Sequence, residues 1–290
     1  MNLSEWFSDF CAELTVKDGG IISTRYKNIT KRLNTDYWST TFDTNHSLYV
    51  GSYGRGTATQ GFSDLDMIFR LPDKEYEKYN NYADNGQSAL LQAVKKSIEK
   101  TYPTSSIRGD SQVISVPFND GITFEVVPAF AKNDDSFTFP DANNGGSWKT
   151  TDPKPEIEAI RNRDNVCNGN LKRLCRMMRA WKRKWEVPIG GLLIDTLAYQ
   201  FIENWKYRDK SYLYYDYMSR DFFKWMSEQD SKKTYWRSPG SSQYVYVKDL
   251  FQYKAKKCYK ISLEAIQHET TDPRSAKQKW REIYGTTFPD

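Results

Sequence analysis

The sequence Asp64-Leu65-Asp66 opens a short apolar run that ends at Pro72. Side chains alternate between the two faces of a strand, so the two aspartates share one face and the apolar residues between and after them point into the core. The run therefore predicts a strand with one buried face and one face that carries paired carboxylates. Adjacent carboxylates repel each other, and a hard divalent cation such as Mg²⁺ neutralises both through oxygen ligands.

A third acid, Glu125, interrupts the apolar run at residues 122–128. An acid in such a strand carries a large desolvation cost unless it meets a cation. If this strand lies beside the first, two metal ions can activate a ribose hydroxyl and stabilise departing pyrophosphate. We therefore predict Asp64, Asp66 and Glu125 as catalytic metal ligands, with two Mg²⁺ ions as cofactor and Mn²⁺ as the alternative. The competing interpretation places the aspartates in a solvated turn and Glu125 on a water-facing edge.

A glycine-rich turn precedes these acids. The predicted strand at residues 47–50 runs into Gly51-Ser52, which eleven residues separate from Asp64. Glycine lets backbone N–H groups approach triphosphate oxygens, and the serine hydroxyl adds a hydrogen bond. We predict Gly51 and Ser52 as nucleotide-binding residues, although a simple loop also favours glycine.

Residues 133–155 are rich in Asp, Asn, Gly, Ser and Pro, which predicts a domain boundary. The sequence before this segment has strand patterns, and the sequence after it has helical spacing. We predict two domains: residues 1–155, a mixed domain that begins with N-terminal helices, and residues 156–290, a helical domain. Strands are expected near 47–50, 65–71, 113–118 and 122–130, and helices near 156–185, 190–207, 212–230 and 273–284.

The charge and cysteine content exclude several classes of protein. The formal charge is +5, from 42 Lys and Arg against 37 Asp and Glu, which suits a local pocket for small anions better than a surface that coats duplex DNA. Four scattered cysteines and two histidines do not have the spacing of a zinc site or a disulfide framework. The N-terminus lacks a signal-peptide pattern and no window reaches transmembrane length, so we expect a cytoplasmic protein without a membrane partner.

The motifs taken together resemble the DNA polymerase β-type nucleotidyltransferases. More narrowly, they resemble the CD-NTase family (SMODS type), the bacterial relatives of cyclic GMP–AMP synthase and oligoadenylate synthetase. The resemblance spans roughly residues 45–205 and implies an α+β fold: a polymerase β-like nucleotidyltransferase core, with a mixed sheet and flanking helices, packed against a C-terminal helical domain that closes the nucleotide cleft. The matching segments are 51–57, 62–67, 124–130, 171–181 and 187–198.

This resemblance also implies an activity. Such enzymes make cyclic di- or trinucleotides, or short linear ones, from ATP, GTP or other nucleoside triphosphates. In bacteria they act in anti-phage (CBASS) signalling, so CBASS regulatory proteins and a product-activated effector are the implied partners. The zinc-binding insertion of the animal DNA sensor is absent, so no DNA requirement is expected. Two alternatives stay open: a tail-adding or toxin-type nucleotidyltransferase that acts on RNA or protein, and a non-catalytic binding module.

The stretch 171–185 has an apolar stripe and a separate basic stripe at helical spacing. A solvated charged face explains most of the basic stripe. Arg179 is the exception, because the family places a triphosphate-binding cation there, and guanidinium can grip phosphate with two hydrogen bonds. Lys182, beside the stripe, is the second nucleotide-binding candidate. The sequence departs from the family in having Glu125 where Asp is common, and Gly190-Gly191 where a serine and an aromatic residue are common.

Overall fold

The computed structural model of the protein describes residues 2–62 and 64–290. Met1 and Ser63, the latter within a motif that carries the family resemblance, lie outside the described residues. The chain divides into two compact units. The sheet unit comprises Lys17–Gly54 and Gly61–Lys154, and the helical unit comprises Met1–Val16, Arg55–Gln60 and Pro155–Asp290.

Both units are built from regular elements joined by short connections. The helices are α1 (Leu3–Leu14), α2 (Gly19–Trp38), α3 (Gly51–Gly54), α4 (Asp73–Asn80), α5 (Gly86–Glu99), α6 (Pro153–Val166), α7 (Asn170–Trp185), α8 (Gly191–Glu203), α9 (Tyr215–Ser227), α10 (Gln252–His268) and α11 (Pro273–Tyr284). The strands are β1 (Ser47–Tyr49), β2 (Asp64–Arg70), β3 (Arg108–Asp110), β4 (Val113–Pro117), β5 (Thr123–Ala131), β6 (Phe137–Asp141), β7 (Ser147–Thr151), β8 (Tyr235–Arg237) and β9 (Tyr244–Tyr246).

The sheet unit is organised around a mixed sheet of seven strands. Its order is β1-β2-β5-β4-β3, and β6 pairs with β5 and with β7. Strands β2 and β5 run parallel, and the other pairs are antiparallel. This mixed sheet with helices confirms the predicted α+β class.

The two central strands bury one set of alternate side chains completely. Leu65 and Met67 of β2 and Phe124 and Val126 of β5 have no exposed surface. Helix α5 contributes its own apolar stripe and contacts β3, β4 and β6. The side chains between these buried residues point to the other face, where Asp64 is exposed and Asp66 and Glu125 are half-buried. The sheet therefore separates an apolar face from an acidic one, as the alternation in the sequence predicts.

The helical unit has its own hydrophobic core, formed by α1 and by the helices that follow residue 152. Cys175 and Trp181 of α7 are fully buried, as the apolar stripe predicts. The four cysteines are buried and unpaired. Among the helices of the described residues, none combines the length and apolar character needed to cross a membrane.

Helix α1 groups with the helical unit, whereas the sequence boundary at residues 155/156 assigned it to the first domain. Aromatic packing within the unit explains this grouping. The ring of Phe7 lies 5.2 Å from that of Trp280, and the ring of Phe10 lies 4.8 Å from that of Tyr284. The segment Arg55–Gln60 also belongs to the helical unit, so the chain passes from one unit to the other at residues 16/17, 54/55, 60/61 and 154/155.

Several elements differ from those expected from the sequence. The polar segment 133–155 holds the hairpin β6–β7, because Phe137 and Pro140 are buried and anchor it to the sheet unit. Helix α10 and the hairpin β8–β9 occupy a polar and aromatic stretch for which no helix or strand was predicted. The turn at Gly51 is a single helical turn, α3, that follows β1 almost directly.

Candidate active site

The acidic residues of the sheet unit meet through strand pairing. Strands β2 and β5 are adjacent and parallel, and their register places Asp66 directly opposite Glu125. Asp64 lies two residues earlier, opposite Thr123, and so shares the same face. On its other side Glu125 is opposite Ser115 of β4. The sheet thus brings together the predicted acids that are 59 residues apart in the chain, since 125 − 66 = 59.

The pKa of Glu125 reflects its closeness to the two aspartate carboxyl groups. Burial raises the pKa of Glu125, and the negative charges of Asp66 and Asp64 raise it further. A hydrogen bond between the Glu125 and Asp66 side chains acts in the same direction. Such a bond needs a proton on one of the two carboxyl groups. Positive charge placed between them would favour the ionised forms instead, because opposite charge lowers a carboxyl pKa.

Gly51 lies against the Asp66 carboxylate. A Cβ atom added to Gly51 would lie 1.7 Å from Asp66 Oδ2, far inside van der Waals contact. The glycine also has a φ of +59°, in the left-handed region. The backbone N–H of Val50 donates to the carbonyl oxygen of Asp66 at 3.0 Å, which fixes the turn beside β2. Ser52, the next residue, is half-buried in α3. Only glycine allows the backbone to approach the acid this closely.

The donor set suits a hard divalent cation. Asp66, Glu125 and Asp64 offer carboxylate oxygens on adjacent strands of one face, and Mg²⁺ prefers oxygen ligands. The space that a Cβ at Gly51 would fill borders the same carboxylate. Across residues 2–62 and 64–290, no group of three or more His, Cys, Asp or Glu side chains is already drawn around one point. The chemistry and register of the acids fit a metal, and their role as ligands stays a prediction.

In the helical unit, Arg179 is engaged in a buried ion pair. Its guanidinium donates to Asp195 Oδ1 at 2.6 Å and to Asp195 Oδ2 at 2.9 Å. It also donates to the carbonyl oxygens of Cys175 at 3.1 Å and Gly191 at 3.2 Å. Arg179 is 8% exposed and Asp195 is fully buried. Since these bonds use four N–H groups of the guanidinium, the contacts indicate a positioning role, unlike the triphosphate contact expected from the family.

Asp195 organises a second arginine as well. It accepts from Arg55 Nε at 2.9 Å and from the Thr57 hydroxyl at 2.8 Å. Burial alone would raise the pKa of Asp195, but Arg179 and Arg55 outweigh it and lower this pKa to about 2. Asp195 was not singled out from the sequence. The sequence does contain an indication that Asp195 is buried and paired, because it is a lone acid within the apolar run of α8.

Lys182 has a different environment from Arg179. It is half-buried, and it forms no ion pair with a carboxylate in the described part of the chain. Burial lowers the pKa of Lys182, and the positive charges of Arg179 and Lys248 lower it further. A cation held among other cations attracts an anion. Of the two predicted nucleotide-binding cations, Lys182 therefore has the charge environment that suits phosphate.

The rest of the basic stripe on α7 holds the segment Arg55–Gln60. Arg176 donates to the carbonyl oxygen of Gly56 at 2.9 Å. Arg183 donates to the Thr59 hydroxyl at 2.7 Å. The solvated face expected for these arginines is wrong for Arg176, which is half-buried, whereas Arg183 is exposed as expected. The sequence alone does not reveal this contact, because the segment lies more than one hundred residues before α7.

Comparison with solved structures shows the same fold in several bacterial proteins. CdnC of Escherichia coli MS115-1, in its complex with HORMA-deltaN, has a TM-score of 0.71 at 14% identity, covering 99% of this chain and 98% of CdnC. The apo form of DncV from Vibrio cholerae has a TM-score of 0.72 at 13% identity, covering 100% and 96%. CdnG of Bradyrhizobium diazoefficiens, in complex with GTP, has a TM-score of 0.69 at 11% identity, covering 99% and 95%.

Sequence comparison points to the same group of proteins. A probable cyclic nucleotide synthase of Bacillus cereus (strain VD146) is 21% identical over 253 residues, which cover 81% of this chain and 74% of that protein. The model of the Second Messenger Oligonucleotide or Dinucleotide Synthetase domain, SMODS, matches residues 1–164. This match includes β2 and β5 and extends over more than half of the chain. The protein therefore belongs to the SMODS family of CD-NTase cyclic nucleotide synthases.

Proposed function

We propose that the protein is a template-independent nucleotidyltransferase that makes cyclic di- or trinucleotides from nucleoside triphosphates with release of pyrophosphate. One observation carries the proposal: the register of β2 and β5 sets Asp66 opposite Glu125, with Gly51 against the Asp66 carboxylate. Phosphoryl transfer depends chiefly on positioning and on stabilisation of charge. The acidic pair can hold the metal ions that stabilise charge, and the backbone at Gly51, which lies against the acidic pair, can position the triphosphate.

The acids and the glycine turn have separate roles in this proposal. Bound Mg²⁺ would supply charge that activates the acceptor hydroxyl and stabilises the leaving pyrophosphate, with Mn²⁺ as the alternative ion. Asp64, Asp66 and Glu125 would hold these ions through their carboxylate oxygens, with Glu125 serving chiefly the acceptor hydroxyl. Gly51 and Ser52 hold the donor triphosphate through backbone and hydroxyl hydrogen bonds. Lys182 adds positive charge for the triphosphate, and Arg179 orients the residues around Asp195.

The neighbours' ligands support nucleoside triphosphates as substrates. E. coli CdnC is known with ATP, and CdnE of Elizabethkingia meningoseptica with GTP and Apcpp. We further propose a place in CBASS anti-phage signalling, in which the product activates an effector. The complex of CdnC with HORMA-deltaN supports a regulatory protein as an additional partner.

The proposal is tested by incubating the purified protein with all four ribonucleoside triphosphates and Mg²⁺, without a polymer. Pyrophosphate release and cyclic products identified by mass spectrometry are expected. Asp66→Asn should abolish both, because it removes an anionic oxygen from the acidic pair. Asp84→Asn, which changes an exposed aspartate of the same unit, should leave both unchanged.

Two outcomes would refute the proposal. Full activity of Asp66→Asn, with its fold verified by circular dichroism, contradicts the assignment of the acids. Product that forms only when RNA or a protein acceptor is added contradicts a small-molecule synthase and favours the tail-adding or toxin-type alternative.

A further inference from the structure

The hairpin β8–β9 of the helical unit presents aromatic rings outward. Its antiparallel register pairs Tyr235 with Tyr246 and Arg237 with Tyr244. Alternation turns the residues between them inward, so that Trp236 is 1% and Val245 is 8% exposed within the core. The four outward residues, Tyr235, Arg237, Tyr244 and Tyr246, are called the tyrosine face.

The rings of the tyrosine face are exposed to an unusual degree. Tyr235 is 39%, Tyr244 is 50% and Tyr246 is 67% exposed. Scattered exposed apolar residues are ordinary, whereas a contiguous patch marks an interaction site. The three rings are contiguous, because the centroid of Tyr244 lies 4.7 Å from that of Tyr235 and 6.1 Å from that of Tyr246.

Arg237 holds this patch in place. Its guanidinium lies 3.9 Å from the centroid of the Tyr244 ring and donates to the Tyr244 hydroxyl at 2.8 Å. A further N–H of Arg237 donates to the carbonyl oxygen of Ser242 at 3.0 Å. The ring therefore loses little freedom when a partner stacks on it, which favours binding.

Cations outnumber acids along the hairpin. Residues 230–249 contain four cations, Lys232, Lys233, Arg237 and Lys248, and two acids, Asp230 and Asp249, at the two ends of the segment. Within residues 2–62 and 64–290, none of the four forms an ion pair with a carboxylate. An open pocket of about 480 Å³ borders the hairpin and is lined by Gln200 and residues 232–237. Exposed rings next to unpaired cations are complementary to a partner that has flat apolar groups and regular negative charge.

We propose that the tyrosine face binds single-stranded nucleic acid. Unpaired bases stack on aromatic side chains, and the phosphates between them contact nearby Lys and Arg. A duplex has its bases stacked inside and offers only phosphates to such a surface. An acidic protein segment presents flat rings only where it has aromatic residues, whereas a single strand presents one base beside every phosphate. The partner's bases and phosphates together account for both features of the hairpin.

Binding is measured with the full-length protein and fluorescently labelled oligo(U) and oligo(dT) of about 12 nucleotides, the length that such sites commonly cover. No triphosphate or divalent ion is added, so the result is independent of the proposed synthase activity. We expect both oligonucleotides to bind at least tenfold more tightly than a duplex of equal length. Added salt should weaken binding, because counterions are released from phosphates.

The variant Tyr244→Ala/Tyr246→Ala should weaken binding about tenfold or more, because each base–aromatic stack contributes substantially. Tyr82→Ala is the matched control, since Tyr82 is 52% exposed in the sheet unit. Lys232→Gln/Lys233→Gln should reduce the salt dependence while keeping the preference for single strands. All five changed positions carry exposed side chains, so the variants should fold, which circular dichroism verifies.

Four results would overturn the proposal. The first is absence of binding, and the second is equal affinity for single strand and duplex. The third is equal affinity of the wild type and the double tyrosine variant. The fourth is effective competition by poly-glutamate, or a dimer in size-exclusion chromatography that the tyrosine variant dissociates, since either assigns the face to a protein partner.

Discussion

Replacing Gly51 by alanine should reduce catalytic activity by displacing a carboxylate, beyond the loss of stability that backbone strain causes. The new Cβ would lie 1.7 Å from Asp66 Oδ2, whereas ordinary contact begins near 3.4 Å, so the carboxylate must move by about 1.7 Å, the difference. A displacement of about 1 Å in a catalytic constellation can cost about 10²-fold in rate. The left-handed φ of +59° adds roughly 1–2 kcal/mol of backbone strain.

Gly121→Ala is the matched control for this strain. Gly121 lies in the same unit with a φ of +87°, and an added Cβ meets nothing within 4 Å. Urea unfolding should show similar losses of stability for both variants. Pyrophosphate release should fall about 10²-fold or more in Gly51→Ala and stay near wild type in Gly121→Ala. Equal activity of the two variants would refute the inference that the glycine–carboxylate approach matters.

Three further perturbations concern the helical unit. Asp195→Asn removes the buried counter-charge of Arg179 and one of the two carboxylates that face Arg55, the other being Glu156. It should lower the free energy of unfolding by about 3–5 kcal/mol in urea titration. Asp209→Asn, at an exposed pair, should cost less than about 1 kcal/mol, and equal losses would contradict the network. Burial and Asp216 raise the pKa of Glu269 from 4.5 to about 8, so its contribution to stability is present below pH 4.5 and lost as the pH rises through about 8. Between pH 4.5 and about 8, the free energy of unfolding of Glu269→Gln should fall by roughly 1–3 kcal/mol less than that of the wild type, as measured by thermal unfolding at each pH. An unchanged pH dependence would show that the carboxyl group does not titrate in this range. Lys182→Met should raise the KM for triphosphate about tenfold, whereas Lys184→Met, at an exposed position on α7, should not; equal KM values would exclude Lys182 from the site.

The acidic face could be predicted because its information is local. Alternation within residues 64–70 assigns the two aspartates to one face without reference to any other strand. The placement of Glu125 opposite Asp66 depends on which strands are neighbours and in which register, so it followed from the family resemblance and from the cost of a buried acid. Ser115, next in the same row, gave no signal, because a serine costs little at a half-buried position.

The contacts of α7 could not be predicted, because they depend on groups that are distant in the chain. Periodicity identifies its basic stripe but not what faces that stripe. Arg179 and Arg176 are held by groups that lie 16 and 120 residues away in the chain. The hairpin β8–β9 escaped detection because each strand has only three residues, too short for alternation to be recognised.

The repeated passage of the chain between units limits how the protein can be dissected. A fragment that begins at Pro155 would lack both α1 and the segment Arg55–Gln60. Asp195 would then keep Arg179 and lose Arg55 and Thr57, and the surface that α1 covers would meet water. Neither unit corresponds to one continuous gene segment. A cut at the apparent boundary therefore divides the core of the helical unit between two fragments, while every residue of the sheet unit stays on the first one.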